Sequence, residues 1–437
     1  MKIHENKLRE LIYSKYQKNF FDRINKPRKQ TKISFEDLYD FPQILKKQTE
    51  EKINSLILNL EDMEFIGQEI QLKKEDASTT RIDLIAMTLE HGLAIIELKK
   101  STQTEREAFT ELLAYSNYFC SLFHGASETT SVISILIAPM QTRIVQDAFF
   151  QELMLNNKNI IALIPKADTT ETNFQFDIYY PSNNFYNTFT NSIFNDSSIH
   201  VAALTFELVD GWIDSWENDN NTNNDYVKDA FNIISSNIAF ELEAKGYHSL
   251  VYGSQRWKEH HELFPYPNVI YVVTLNPYAY DLHGAQIWSS ERETRLDSFI
   301  NQLNYDTTDF YGSPRTQFIE SCNSGFENNL WNIIAKSFRI SFLSSTKSVD
   351  HEFSSIGWSH YKNSMIESGF FHHFDIFQTG IFRKIILEYI QQTYSLNPLD
   401  DFYRDDMPMF AYDAYRNFFF SWQTIESLGT ENLDEKF

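Results

Sequence analysis

The chain has 437 residues, with 60 Asp+Glu against 38 Lys+Arg and a formal net charge of −22. Its 42% hydrophobic and 22% charged content excludes wholesale disorder, and only 13 Gly and 11 Pro disfavour a turn-rich all-β protein. Two cysteines, Cys120 and Cys322, exclude a disulfide framework and a Cys-rich zinc site and fit a reducing compartment.

The start, MKIHENKLRELIYSKY, has no apolar run behind its basic residues. The longest apolar stretches, Val132–Ala138 and Val269–Leu275, are too short to span a bilayer. A soluble cytoplasmic protein with no membrane partner is expected.

Residues 1–34 carry ten basic and three acidic side chains, a net +7 that leaves −29 on the rest. We read residues 1–40 as a basic N-terminal arm. Interleaved with Tyr13, Tyr16, Phe20 and Phe21, it either contacts phosphates and bases or is an amphipathic helix packing its aromatic face on the body. The negative balance elsewhere argues against non-specific coating of nucleic acid.

The spacing of Ile44, Ile53, Leu56, Ile57 and Leu60 predicts a helix over 40–60. Residues 65–72 alternate and predict a strand, followed by the polar turn KKEDAS. A second strand is predicted over 81–89, a turn at Glu90-His91-Gly92, and a third strand over 93–99. A helix over 105–123, a buried strand over 132–138, a helix over 143–155 and a short strand over 159–164 complete an α/β domain with a mixed sheet. Residues 167–225 have weak periodicity and form a connecting segment, with ENDNNTNND (217–225) as the clearest linker. A C-terminal domain over 226–437 follows and reads as mainly helical α+β. It has a helix at Tyr226–Lys245 stopped by Gly246, one strand at Val269–Leu275, and aromatic-rich helices at Phe382–Tyr394 and Asp413–Ile425.

The informative segment is TTRIDLIAMTLEHGLAIIELKK (79–100). Alternation puts Asp83 on one face of the second strand and Glu97 and Lys99 on one face of the third. A hairpin turning at His91-Gly92 brings them together. Two carboxylates and an ammonium then converge at the end of a sheet made of Ile, Leu and Ala. Burying such groups is costly unless they pair or hold a metal, and clustered oxygens suit Mg²⁺ or Mn²⁺. A bare Glu-x-Lys on a strand is more often an exposed ion pair, so the specificity lies in the context.

In that context the segment resembles the PD-(D/E)xK nuclease superfamily, and in particular its NucS-like and RecB-like restriction-endonuclease-like domains. The resemblance covers residues 48–166, including GQEIQL (67–72), ELLAYSNYF (111–119) and ILIAP (135–139). It implies a restriction-endonuclease-like α/β core over 41–166 and Mg²⁺-dependent (or Mn²⁺-dependent) hydrolysis of phosphodiester bonds, usually in DNA. On that reading Asp83 and Glu97 hold the metal and Lys99 positions the attacking water. The family's acid on the first core helix falls on Glu50, with Glu51 competing, and Glu69 is a further metal ligand. Tyr115 matches a site-lining tyrosine. The chain departs from the family at Ile82, where a Pro is usual, and at Glu111, where RecB-like members carry Gln.

The expected protein is thus a metal-dependent DNA nuclease, as in antiphage defence or DNA processing, with the C-terminal domain serving oligomerisation or a partner protein. An RNA nuclease and a catalytically silent nuclease-fold protein that binds nucleic acid or serves assembly are the alternatives. Other chemistries lack support. EHHE (259–262) and HHFD (372–375) have no zinc spacing, and no GxGxxG, P-loop or GxSxG occurs.

Overall fold

Apolar, β-branched stretches between Glu64 and Ile178 pair into one six-stranded sheet in the computed structural model. The structure describes residues 5–33, 41–72, 80–89, 92–99, 105–122, 132–169, 172–193, 198–207, 225–255, 266–282, 290–303, 314–341, 350–356 and 376–384. They fall into two compact units, Met1–Asn187 and Thr188–Phe437. The KKEDAS turn, His91, most of the 217–225 linker, both His-rich motifs and the helix expected at Asp413–Ile425 lie outside the described residues. So does all of the Phe382–Tyr394 helix beyond its first turn.

In the first unit the elements run α1 (Glu5–Lys15), α2 (Phe41–Leu58), β1 (Glu64–Leu72), β2 (Thr80–Thr88), β3 (Gly92–Leu98), α3 (Glu105–Leu122), β4 (Val132–Ile137) and α4 (Arg143–Phe150). A π-helical turn over Gln151–Leu155 continues α4, β5 (Ile160–Ala167) and β6 (Phe174–Ile178) follow, and the division into units falls within α5 (Asn183–Ile193). The sheet order is β1-β2-β3-β4-β5-β6. The first three strands are antiparallel, β3-β4-β5 are parallel, and β6 returns antiparallel. This is a mixed sheet in an α/β arrangement. Gly92 takes φ +77, the left-handed conformation that a tight turn into β3 demands and that a side chain would disfavour.

This unit is wider than the sequence boundaries of 41–166. Phe174, Phe176 and Ile178 alternate inward and add β6 to the sheet. At the other end, residues of the basic arm are part of the body. Leu8, Ile12, Tyr16 and Phe20 recur at helical spacing and are almost wholly buried. Phe20 packs against Phe65 and Phe176, and the backbone N–H of Phe174 donates to Tyr16 Oη at 3.0 Å.

The second unit contains β7 (Ile199–Phe206), α6 (Asp225–Ala244), β8 (Ser249–Gln255), β9 (Asn268–Leu275), α7 (Ala279–Leu282), α8 (Ser290–Ile300), α9 (Pro314–Ser341), β10 (His351–Ile356) and β11 (Phe377–Gln378). Its strands form an all-antiparallel sheet in the order β10-β7-β9-β8-β11, where the sequence reading expects one strand, and the helices still hold more of the described residues than the strands do. Phe231, Ile234, Ile238 and Leu242 of α6 and Leu330, Ile334 and Phe338 of α9 cover Leu204, Phe206, Val251, Ile270 and Val272 of the sheet. Gly246, at φ +77, ends α6 as the sequence anticipates. Among the described residues no helix is long and apolar enough to cross a membrane.

Candidate functional site

The pairing register of the first sheet lines up three carboxylates. Gln68↔Leu84 and Ile70↔Ile82 place Glu69 across from Asp83, and Leu84↔Ile96 is the last β2–β3 pair before the level of Asp83 and Glu97. Residues opposed in antiparallel strands share a face, so Glu69, Asp83 and Glu97 form a row across β1, β2 and β3. Where the β2–β3 ladder stops, the backbone N–H of Leu98 donates to Asp83 Oδ2 at 2.9 Å. A side-chain oxygen thus satisfies a strand amide that would otherwise be orphaned.

Two cations are threaded through the row. Arg9, reaching in from α1, donates from Nη1 to Asp83 Oδ1 at 3.0 Å and from Nη2 to Glu69 Oε1 at 2.5 Å. Lys99 sits between Glu97 (2.6 Å) and Glu111 of α3 (2.5 Å). Asp83, Glu97, Lys99 and Arg9 are each less than 10% exposed. Glu69 has φ +50, a left-handed conformation that strains a non-glycine residue, in the strand position facing Asp83.

The electrostatics follow from this packing. Burial pushes the Glu97 carboxyl up to about 10, helped by the Asp83 charge and a hydrogen bond with Glu111, while Lys99 opposes the shift. Glu97 Oε2 is buried with no donor directed at it from the described residues. Burial pulls Lys99 down, but Glu97 and Glu111 more than offset it, and the ammonium is held above its ordinary value. Glu5, one turn before Arg9 on α1, is raised by burial and by Asp83 and Glu111, and lowered by Lys99 and Arg9. It therefore belongs to the same cluster. Five carboxylates (Glu5, Glu69, Asp83, Glu97 and Glu111) face two cations.

Of the residues singled out in the sequence, Asp83, Glu97, Lys99 and Glu69 are brought together, and Tyr115 lies beside them. Burial, Glu97, Glu111 and Asp83 all raise the Tyr115 phenol, whose hydroxyl donates to the Arg81 carbonyl at 2.6 Å. Glu50 is not brought in. Although 3% exposed, it accepts the Thr31 backbone N–H at 2.8 Å, where the extended segment after residue 23 crosses α2, and its charge is felt by Tyr180 and Tyr186. Glu51 pairs with Lys47 on the helix surface. The helical acid at the cluster is Glu5, on the helix before the one the sequence pointed to. Glu5 and Arg9 were legible only as an i,i+4 pair on the face that carries Leu8 and Ile12.

The donor set suits a hard divalent ion, being all oxygen, partly buried and in negative excess. As the side chains stand, no three His, Cys, Asp or Glu among the described residues converge closely enough to hold a metal. Arg9 and Lys99 stand between them. No family model matches the sequence, and no curated protein or solved structure is detectably similar to it.

Proposed function

We propose that the first unit is a metal-dependent nuclease hydrolysing phosphodiester bonds in DNA. The observation that carries this reading is the row Glu69–Asp83–Glu97 across three adjacent strands, with Lys99 two residues after Glu97 and with Asp83, Glu97 and Lys99 buried. A sheet end otherwise filled with Ile, Leu and Ala gains no stability from such a row, and buried ionisable clusters of this kind concentrate at functional sites.

Asp83 and Glu97 would hold Mg²⁺ or Mn²⁺, with Glu69 as a further ligand and Glu5 in place of Glu50 as the helical acid. The ion supplies the positive charge that a phosphodiester needs as charge develops on phosphorus. Lys99 stays protonated, so it donates hydrogen bonds and orients water or phosphate rather than abstracting a proton. Glu111 holds that ammonium against Glu97. Tyr115 fixes the backbone at Arg81, two residues before Asp83.

The test is cleavage of linear, circular and single-stranded DNA, with RNA alongside, in Mg²⁺, Mn²⁺ and EDTA, comparing the wild type with Lys99→Ala and Asp83→Ala. Metal-dependent cleavage of DNA lost in both variants supports the reading. Cleavage of RNA alone moves the substrate to RNA. Cleavage that survives both substitutions overturns the site.

One observation favours the silent alternative: the acids are already paired to Arg9 and Lys99, and no ready-made cage exists among the described residues. A folded wild type that cuts no polymer in either metal would decide for it.

A further inference from the structure

Arg9 has no role in the reaction as read above, yet it makes the most demanding contact of the cluster. Its guanidinium bridges two carboxylates on neighbouring strands, with Asp83 74 residues away in sequence and Glu69 60 away. The side chain is 9% exposed and its Nε, also buried, has no acceptor among the described residues. Both oxygens of Asp83 are in use, Oδ1 by Arg9 and Oδ2 by the Leu98 amide. The first of these is a cation and can be exchanged for another, whereas the second satisfies a strand amide. Glu69, the other end of the bridge, is held at a strained φ that turns its carboxylate to the same guanidinium.

We infer that Arg9 is a resident cation occupying the divalent-metal position on Asp83 and Glu69, so that metal binding and the Arg9 bridge are mutually exclusive. This rests on the proposed function, because it assigns a metal to Asp83. A guanidinium matches a carboxylate pair in charge and in fork geometry, and it neutralises the Asp83–Glu69 pair when no metal is present. A divalent ion must take Asp83 Oδ1 from it. Arg9 then sets the metal affinity of the site, and α1 reports whether metal is bound.

The experiment titrates full-length protein with Mn²⁺ in the absence of nucleic acid, by calorimetry and by the electron paramagnetic resonance signal of free Mn²⁺. Arg9→Gln should bind Mn²⁺ at least about ten-fold more tightly than the wild type, the equivalent of removing one competing charge-assisted contact. Arg9→Lys, which keeps the charge but cannot bridge two carboxylates, should fall between them. Adding Asp83→Asn to Arg9→Gln should abolish the gain. Equal or weaker Mn²⁺ binding by Arg9→Gln overturns the inference, as does a gain that survives Asp83→Asn, or no binding by either protein.

Hydrogen exchange on the wild type guards against a misfolded variant. Mn²⁺ should speed exchange of the α1 amides, residues 5–15, if Arg9 is displaced; unchanged or slower exchange overturns the displacement. The two readings fail separately. Metal-dependent cleavage with unaltered Mn²⁺ affinity in Arg9→Gln leaves the nuclease and removes the competition. A gain in affinity without cleavage does the reverse.

Discussion

The two sheets bury polar groups in opposite ways. In the first unit the buried polar side chains include five ionisable ones, Arg9, Glu50, Asp83, Glu97 and Lys99, beside Thr49, Thr88, Ser116 and Asn159. Among the described residues of the second they are mostly hydroxyls and amides, such as Thr205, Ser249, Ser254, Asn268, Thr274, Asn276 and Thr379, with the titratable His200 beside them. Part of the second set pairs internally: Ser249 Oγ donates to Thr274 Oγ1 at 2.8 Å, and Thr379 Oγ1 donates to the Tyr247 carbonyl at 2.7 Å while accepting the Ser249 N–H at 2.8 Å. Neutral partners that satisfy one another cost little to bury and lock a register. A charged row carries a desolvation penalty that packing alone does not explain, so the chemistry is sought in the first unit.

The largest effect that would break this comparison is on cleavage. Glu97→Gln mimics the protonated carboxyl that burial imposes, so the melting temperature at pH 7 should stay close to the wild type. Without an ionisable ligand, cleavage should fall by at least about 10²-fold. A variant that loses fold and cleavage together would make Glu97 a structural residue like those of the second sheet.

Next is a purely steric prediction in the second unit. A Cβ on Gly253 of β8 would lie 2.1 Å from Cδ1 of Phe231, which is fully buried in the core beneath α6. Gly253→Ala should destabilise that unit by about 1–3 kcal/mol. All seven tryptophans lie beyond residue 187, and Trp331 packs against the core of the second unit. The fluorescence-detected melt should drop, while exchange protection of β2 and β3 should not change.

How far these features could be read in advance differs between the units for a physical reason. In the first, the order from α2 to β5 follows from local pattern: alternation in 64–72, continuous apolar runs in β3 and β4, and helical spacing in α3. Asp83, Glu97 and Lys99 were legible because a hairpin converts sequence spacing into proximity. Arg9 and Glu5 were not, since no local rule brings α1 to a strand about 70 residues later. Glu50 had the right helical phase but the wrong helix, and the chain after residue 23 covers it. In the second unit β7 is buried at all eight positions, which erases the alternation that marks a strand. β6 does alternate, as FQFDI, and its short length hid it in an Asn- and Thr-rich stretch.

Changing pH should sharpen the contrast, because Glu97 in the first unit and His248 in the second shift in opposite senses. Glu97 rises from 4.5 to about 10, so the folded state holds its proton more tightly than the unfolded chain. The stability linked to it is complete below 4.5 and is lost as pH rises through about 10. His248, in the second unit, is lowered from 6.5 by burial and by Lys384, against the pull of Glu243. Its Nδ1 accepts the Ile381 N–H at 3.2 Å, a bond that only the unprotonated nitrogen can make. The stability linked to His248 is complete above 6.5 and is lost as pH falls through its folded value. Melting followed by first-unit exchange should therefore decline between pH 7 and 9.5 in the wild type and stay flatter in Glu97→Gln. The tryptophan-detected melt should decline between pH 6.5 and 5, and less so in His248→Gln.

The smallest expected effect concerns Tyr115, which touches the site but is tied to the backbone. Its hydroxyl donates to Arg81 O, and the ring is 2% exposed, so the phenol is a strut between α3 and β2. Tyr115→Phe removes one buried hydrogen bond and strands a carbonyl, at a cost of about 1 kcal/mol. Cleavage should stay within about threefold of the wild type, because the ring still fills its place and Asp83 keeps the Leu98 amide. A loss comparable with that of Glu97→Gln would instead mean that the hydroxyl leaves Arg81 to reach substrate. Tyr115 would then join the reacting groups, and the neutral contacts of the first sheet would prove as functional as its charged row.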